Sequence, residues 1–227
     1  KVGSIFIVIR INTKVEIWDQ NKKRLFEKPK IEYTLRSIKS LIRSIDFCQK
    51  NYPKIKIKIA IIDDNSSEKN LEKVKEIVGY DKVDFILLNH KKFEKKIKQQ
   101  KTTETFSNLA SLMQSFELAK EQDSDLIFFV EDDYLHFETM LMEMVATYER
   151  ISSQVKRDLF LCPSDYPYLY MNNEKTNVLI GNKRHWRTID RSLCTFMTSK
   201  NLLSQYWEFF KKTCEDRHDP FEKYINE

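Results

Sequence analysis

The stretch 126–134 constrains the fold of this chain more than any other. Five consecutive apolar residues, 126–130, run directly into three consecutive carboxylates, Glu131, Asp132 and Asp133. A continuous apolar run of this length is typical of a strand that is buried on both faces inside a parallel sheet. The acids therefore follow the carboxyl end of a core strand, where they repel one another unless a cation or another partner neutralises them.

The acid triplet has two physical interpretations. Carboxylate oxygens are the ligands that Mg²⁺ and Mn²⁺ prefer, and these ions often bridge a protein carboxylate to substrate phosphates. Acidic side chains also favour the N-terminus of a following helix, where they cap backbone N–H groups. The triplet alone does not decide between a metal site and a helix cap.

Composition narrows the class of protein. The chain has 227 residues, of which 41% are hydrophobic and 32% charged, so it can bury a full core, and we expect a single domain over 1–227. The chain has only three glycines, and this low number argues against an all-β or glycine-loop architecture. The net charge of +5 is mild, and it does not indicate a nucleic-acid partner.

Cysteine spacing and hydropathy bear on the compartment. The four cysteines lie far apart, without the paired spacing of a metal site, which favours thiols in a reducing environment. No apolar run reaches the length of a membrane span. We therefore expect a cytoplasmic protein.

Strand and helix patterns alternate along the first two thirds of the chain. Apolar runs at 4–9, 55–62, 83–88 and 126–130 predict strands, and amphipathic spacing predicts helices after each of them, at 31–45, 68–78, 106–116 and 137–148. This alternation predicts an α/β fold with a mostly parallel central sheet flanked by helices on both faces. In the second part we expect strands at 159–162, 178–180 and 193–197, and a helix at 202–210.

Polar clusters follow three of the predicted strands at their carboxyl ends, where open α/β sheets bind their ligands. They are Arg10 with Asn12, Asp63 with Asp64, and the triplet that begins at Glu131. Their coincidence at one edge of the sheet favours a binding site over three unrelated turns.

These clusters resemble the ordered motifs of GT-A-fold glycosyltransferases, particularly the inverting, nucleotide-sugar-dependent family 2. The matching residues are Asp63-Asp64-Asn65-Ser66, the pair Ser107-Asn108, and Glu131-Asp132-Asp133 in the place of the family's DxD motif. The chain departs from the family in having EDD rather than DxD, and in the long loop after Arg10.

The resemblance implies a metal-dependent transfer of a sugar from a nucleotide-diphosphate donor, and a UDP-sugar is expected. It also implies a donor-binding half over 1–134 and an acceptor half over 135–227. Asp64, with Asp63, would hold the base or ribose, and Asp132 the sugar or ribose. Mn²⁺ or Mg²⁺ would be coordinated by Asp133. Further candidates are Arg10, Asn12 and Asn108 for donor binding, and Glu131 and His218 for the metal.

The catalytic base is expected among the acids of the C-terminal region. A base must reach an acceptor hydroxyl from the opposite face of the sugar. Asp219 fits this role better than Asp190, because it lies in a polar loop after the last helix, as the base does in the family. Asp190 leads into a strand and is expected to shape the acceptor pocket, and Glu222 is the reserve candidate.

Two other classes of function compete with this interpretation. A non-catalytic GT-A-like domain would bind a sugar or a protein, but it would be expected to have lost the acids. A sugar-phosphate nucleotidyltransferase would need a glycine-rich phosphate loop after the first strand, and that loop holds no glycine. The expected partners are a nucleotide-sugar donor and a carbohydrate or glycoconjugate acceptor, and any closeness to a membrane would come through the acceptor only.

Overall fold

The computed structural model describes residues 1–14, 25–79, 83–164, 170–171, 175–189 and 193–218. Its strands are β1 (Ser4–Ile11), β2 (Lys56–Asp63), β3 (Val83–Leu87), β4 (Leu126–Glu131), β5 (Val178–Ile180), β6 (His185–Arg187) and β7 (Phe196–Ser199). Its α-helices are α1 (Lys30–Asn51), α2 (Glu68–Val78), α3 (His90–Phe93), α4 (Thr103–Glu121), α5 (Met140–Val155), α6 (Lys200–Gln205) and α7 (Trp207–Glu215), and a 3₁₀ turn spans Leu25–Glu27.

Five of the described strands form the central sheet, in the order β3-β2-β1-β4-β7. The first four are parallel, and β7 joins β4 antiparallel at the edge. Helices cover both faces, with α1, α2 and α5 on one side and α4, α6 and α7 on the other. The predicted α/β class, with a mostly parallel sheet between helical layers, is confirmed.

Alternation along the strands explains why the sheet is buried on both faces. In β1, Ile5, Ile7 and Ile9 face the core under α1 and α5, whereas Phe6 and Val8 face the core under α4. Successive side chains of a strand point to opposite faces, so a continuous apolar run supplies both cores at once. The apolar run of β4 divides in the same way.

The helix boundaries follow local signals in the sequence. The hydroxyl of Ser67 caps α2 by accepting from Asn70 N, at 3.3 Å. Gly79 ends the helix with φ 82°, in a conformation that glycine adopts without the steric cost of a side chain.

The strand predicted at 159–162 is wrong. Only Leu161 pairs there, in an isolated bridge to Met197 of β7. Pro163 lacks the backbone N–H that the next ladder bond would need, so the pairing does not extend. The predicted strand at 178–180 is confirmed, but it pairs with β6 in a separate hairpin rather than with the central sheet.

Two further features concern the cysteines and the length and apolar character of the helices. All four cysteines are thiols rather than disulfides. None of the helices within the described ranges has the length and apolar character that a membrane span requires.

Glu143 of α5 fastens the β5–β6 hairpin to the body of the molecule. Its carboxylate, buried at 4% exposure, accepts from the backbone N–H groups of Asn182, Lys183 and Arg184 and from Trp186 Nε1, at 2.8–3.2 Å. Burial alone would raise the pKa of Glu143, but these four N–H donors lower it. The charged carboxylate is therefore part of the hairpin's structure.

We expect Glu143→Gln to lower the free energy of unfolding by about 1.5–3 kcal/mol at neutral pH. The new amide would turn its own N–H donors toward backbone N–H groups. Because the pKa of Glu143 is lowered in the folded state, its stabilisation is complete above the unfolded pKa and is lost as pH falls through the folded value. Urea unfolding from neutral to acidic pH checks this, with the exposed Glu121→Gln as control. A loss no larger than that of the control would contradict the prediction.

Candidate active site at the carboxyl edge of the sheet

The three polar clusters expected from the sequence lie side by side at one edge of the sheet. Arg10 of β1 is in register with Glu131 of β4, and Ile11 of β1 is in register with Asp63 of β2. Parallel pairing aligns the carboxyl ends of these strands, so residues distant in sequence become neighbours. The strand order also reverses here, between β1 and β4, which is where open α/β sheets form their binding crevice.

Arg10 is buried beneath this edge and fully engaged with the protein. Its Nη2 donates to Glu131 Oε1 at 2.9 Å, and its Nη1 donates to Asn108 Oδ1 at 2.8 Å and to Ser111 Oγ at 3.1 Å. Burial alone would lower the pKa of Arg10, but the charge of Glu131 together with the smaller effects of other neighbouring groups, Asp132 among them, outweighs burial and raises the pKa. Arg10 thus joins β1, β4 and α4 in one charged network.

Asp64 lies at the centre of a second polar group. Its Oδ2 accepts from Asn12 Nδ2 at 2.7 Å, and its Oδ1 lies 2.9 Å from His90 Nε2. The same nitrogen lies 3.1 Å from Ser107 Oγ, and the His90 ring stacks on Phe106. A carboxylate has about four lone-pair positions, so Asp64 can still accept bonds from a ligand.

Asp63 has a different role from its neighbour. Its carboxylate, 4% exposed, accepts from Ser66 N at 3.1 Å and so closes the turn in which Asn65 adopts φ 57°. Burial, with the charge of Asp64, raises the pKa of Asp63 against the opposing effect of the Ser66 bonds. Ser66 Oγ in turn accepts from Thr13 N at 3.2 Å, so this turn holds the segment that follows β1.

Asp132 is neutralised by α1. Its Oδ1 lies 2.6 Å from Lys30 Nζ, and its Oδ2 accepts from Thr34 Oγ1 at 2.7 Å. Both oxygens are therefore engaged by the first turns of one helix. This contact fastens the end of β4 to the start of α1.

Asp133 differs from the two acids before it. Among the residues that the structure describes, none forms an ion pair or a side-chain hydrogen bond with its carboxylate, apart from its own backbone N–H. The side chain is exposed, yet the surrounding protein desolvates it enough to raise its pKa, with Asp132 adding to the effect and Lys30 opposing it. Asp133 is thus the acid of the triplet whose carboxylate has no cationic partner in the described part of the chain.

The residues at this edge fit only one kind of divalent-ion site, the kind that substrate phosphates and waters complete. In the described ranges, no group of three or more acidic, histidine or cysteine side chains is placed to hold an ion by itself. Mg²⁺, however, is usually held by one or two carboxylates together with substrate phosphates and waters. A single carboxylate such as that of Asp133 fits a site shared with phosphates, whereas Glu131 is paired with Arg10.

The C-terminal candidates lie beside or beyond the described residues. Gln100 Nε2 donates to Asp216 Oδ1 at 3.1 Å, and Lys98 N donates to Glu215 O at 2.8 Å, so the end of α7 lies against the segment that leads into α4. His218 follows two residues later, and its role as a metal ligand stays a prediction. Asp190, Asp219 and Glu222 lie outside the described residues.

Two residues at this edge were not predicted from the sequence. His90, which contacts Asp64, follows the end of β3 and therefore belongs to the same edge, a signal that the strand pattern did contain. Lys30 is the first residue of α1, and nothing local in the sequence indicates that it would reach Asp132. The donor-binding roles of Arg10, Asn12, Asp63, Asp64, Asn108 and Asp132 stay predictions.

Comparison with known proteins adds little to this picture. No protein-family model matches the chain, and no curated protein does. Two solved structures that are similar to it are of the galactosyltransferase LgtC, one in complex with donor and acceptor sugar analogs and one an active-site mutant. Each is 16% identical with a TM-score of 0.33, over 57% of this chain and 38% of the other. The chain thus spans less than half of these neighbours, and a TM-score this low supports no conclusion about function.

We expect Arg10→Leu to lower the free energy of unfolding by about 3 kcal/mol, because it leaves the partly buried Glu131 carboxylate without its cation. The double variant Arg10→Leu/Glu131→Leu should recover most of this loss. Lys58→Leu, which removes the exposed Lys58–Asp84 pair, serves as control and should cost less than about 1 kcal/mol. Urea unfolding measures all three. Equal losses for Arg10→Leu and Lys58→Leu would show that the network is not needed for stability.

Proposed function

We propose that this chain is a metal-dependent, inverting glycosyltransferase of the GT-A, family 2-like kind. It transfers a sugar from a nucleotide-diphosphate donor, with UDP-sugars the first choice, to a hydroxyl of a carbohydrate or glycoconjugate acceptor. The observation that carries this proposal is the Asp133 carboxylate, which is exposed and has no cationic partner in the described part of the chain. Its two neighbours in the triplet are already neutralised by Arg10 and Lys30.

The position of Asp133 supports a nucleotide ligand. It follows β4 at the point where the strand order reverses, and Asp64 follows β2 on the other side of β1. A nucleotide diphosphate placed across the end of β1 would reach from one acid to the other. Asp64 would accept from the base or ribose, and Asp132, held by Lys30 and Thr34, would contact the ribose or sugar.

The ligand-facing groups are held in place before any donor binds. Asn12 and His90 fix the two oxygens of Asp64, and Lys30 and Thr34 fix those of Asp132. Lys30 also lies close enough to influence the pKa of Asp133, so its ammonium adds positive charge where the phosphates would lie. Side chains that are fixed in advance lose little entropy on binding.

Sugar transfer needs charge neutralisation on one side and proton removal on the other. A divalent ion at Asp133 would neutralise the charge that develops on the leaving diphosphate. A carboxylate must take the proton of the acceptor hydroxyl. We assign this role to Asp219, with Asp190 shaping the acceptor pocket and Glu222 in reserve. The contact of Asp216 with Gln100 supports this assignment, because it brings the chain just before Asp219 toward the start of α4, whose Asn108 contacts Arg10.

We expect Asp133→Asn to abolish most metal-dependent UDP binding and to leave the fold intact. Loss of one repelling charge should keep the metal-free stability unchanged or raise it slightly. Asp64→Asn is the matched variant, and it should weaken UDP binding with and without Mn²⁺ by about 1.5–3 kcal/mol. Calorimetric titration of UDP, with and without Mn²⁺, separates the two patterns. If Asp133→Asn retains the parent's Mn²⁺-dependent affinity, the proposed metal site is wrong.

We expect Asp219→Asn to lower turnover by roughly two to four orders of magnitude, the usual contribution of general-base catalysis. Donor affinity should stay the same, because the base acts on the acceptor. Turnover and donor binding of Asp219→Asn and Asp190→Asn are measured with a donor identified from a thermal-shift panel of nucleotide sugars. The roles of the two acids are exchanged if only Asp190→Asn abolishes turnover. A parent protein that binds the donor tightly but turns over none in the presence of acceptors would instead be a binding domain.

A further inference from the structure

His90 contributes an imidazole to the candidate site, directly beside Asp64. Its Nε2 lies 2.9 Å from Asp64 Oδ1 and 3.1 Å from Ser107 Oγ, and its ring stacks on that of Phe106 with the ring centres 6.2 Å apart. The side chain of His90 is 37% exposed, whereas that of Asp64 is 10% exposed. Of this pair, the imidazole is thus the group more open to a ligand.

The contact with Asp64 determines which ring nitrogen of His90 carries hydrogen. A carboxylate accepts hydrogen bonds and does not donate them, so Nε2 is the N–H donor of this contact. In a neutral imidazole the other nitrogen is then an acceptor, because the partner of one ring nitrogen fixes the chemistry of the other. Nδ1 of His90 therefore presents a lone pair.

This lone pair is open. Among the residues that the structure describes, none hydrogen-bonds Nδ1, since the polar contacts of the His90 side chain are made by Nε2. Nδ1 is also not one of the buried side-chain nitrogens that lack a partner within those residues, so solvent reaches it. Nδ1 is thus an accessible hydrogen-bond acceptor at the carboxyl edge of the sheet.

The group does not have the geometry of a nucleophile triad. In such a triad the hydroxyl and the carboxylate contact different nitrogens of the histidine, so that the imidazole can take the proton of the hydroxyl. Here Asp64 and Ser107 both contact Nε2. The remaining nitrogen faces away from Ser107, and its partner has to come from outside this group.

The segment that carries His90 is fixed to α4. Gln114 Oε1 accepts from Asn89 N at 2.9 Å, and Gln114 Nε2 donates to Leu87 O at 3.1 Å. Phe93, at the end of α3, is fully buried. The backbone is therefore held on both sides of His90, and a side chain that is fixed in advance loses little entropy when it binds a ligand.

His90 lies at the nucleoside end of the proposed donor site. It follows β3, Asp64 follows β2, and Asp133 follows β4 on the far side of β1. A diphosphate at Asp133 would direct the ribose and the base toward Asp64, and so toward His90. The ribose of UDP carries two free hydroxyls and the uracil one ring N–H, and each of these groups is a hydrogen-bond donor.

We propose that His90 binds the nucleoside of the donor directly. Nδ1 accepts a hydrogen bond from a ribose hydroxyl or from the N–H of the base, and Asp64 holds the imidazole in the tautomer that this bond requires. The inference rests on the proposed donor site and adds to it a specificity-determining residue from the end of β3. The competing role for His90 is to position Asp64 without touching the ligand.

Two variants of His90 separate these roles. His90→Gln keeps an N–H at the place of Nε2 but has no acceptor at the place of Nδ1, and His90→Phe keeps the ring on Phe106 but has neither nitrogen. We expect His90→Gln to weaken UDP binding about three- to tenfold, the effect of one hydrogen bond, and His90→Phe to weaken it at least as much. Calorimetric titration of UDP, with and without Mn²⁺, measures both, after circular dichroism has verified each fold.

The matched control is His185→Gln, at an exposed histidine of β6, and it should bind UDP like the parent. If His90→Gln also binds like the parent and only His90→Phe is weakened, His90 merely positions Asp64 and the proposal is overturned. In that case UDP binding by the parent still supports the donor site. A parent that binds no UDP would refute the donor site and this inference together.

Nucleotide analogues identify the group that Nδ1 contacts. The 2′-deoxy and 3′-deoxy forms of UDP each lack one ribose hydroxyl, and CDP lacks the ring N–H. For one of the three, the loss of affinity relative to UDP should be about three- to tenfold smaller in His90→Gln than in the parent, because the variant has already lost that contact. Equal losses in the two proteins for all three analogues would overturn the proposal.

NMR of isotopically labelled histidine rings gives a direct readout of the tautomer. Without metal, the His90 ring should carry hydrogen on Nε2 and none on Nδ1, and the Nδ1 signal should shift when UDP binds. The His185 ring provides the reference and should not respond to UDP. Hydrogen on Nδ1 of His90, or an Nδ1 signal that UDP leaves unchanged, would contradict the proposal.

Discussion

The ion pair between the buried Arg10 and the partly buried Glu131 is the interaction on which the rest of the site depends. It spans the ends of β1 and β4, the two strands between which the order of the sheet reverses, and it also holds α4 through Asn108 and Ser111. Glu131 is paired with Arg10 and Asp132 with Lys30, whereas Asp133 forms no ion pair with any residue that the structure describes. Two acids of the triplet are thus paired within the protein, and the third is exposed.

Much of this arrangement could be predicted from the sequence, because burial on both faces leaves a strong local signal. The apolar runs locate β1, β2, β3 and β4, and the rule that parallel strands end at one edge brings Asp64 and Asp133 to the same side of the sheet. The sequence could not predict which partner each acid of the triplet contacts. Glu131, Asp132 and Asp133 are chemically similar, and their roles are set by partners far away in the chain.

Those partners are the residues that sequence patterns do not reveal. Lys30 contacts Asp132 across about a hundred residues of sequence and follows a segment without sequence periodicity, and the contact of His90 with Asp64 depends on how α3 is placed. Glu143 likewise looks like an ordinary helix residue, although it organises the hairpin through four N–H donors. Long-range polar contacts depend on tertiary packing, which neither propensity nor periodicity encodes. The antiparallel pairing of β7 with β4 also depends on tertiary packing.

The central claim is that one ligand joins Asp64 and Asp133 across the end of β1. A crystal structure of the protein with UDP and Mn²⁺, with the ion located by its anomalous scattering, tests this most directly. We predict Mn²⁺ bound directly to the Asp133 carboxylate and to the diphosphate, with the uracil or ribose hydrogen-bonded to Asp64. An ion located away from Asp133, or a nucleotide bound at another face of the sheet, would contradict it.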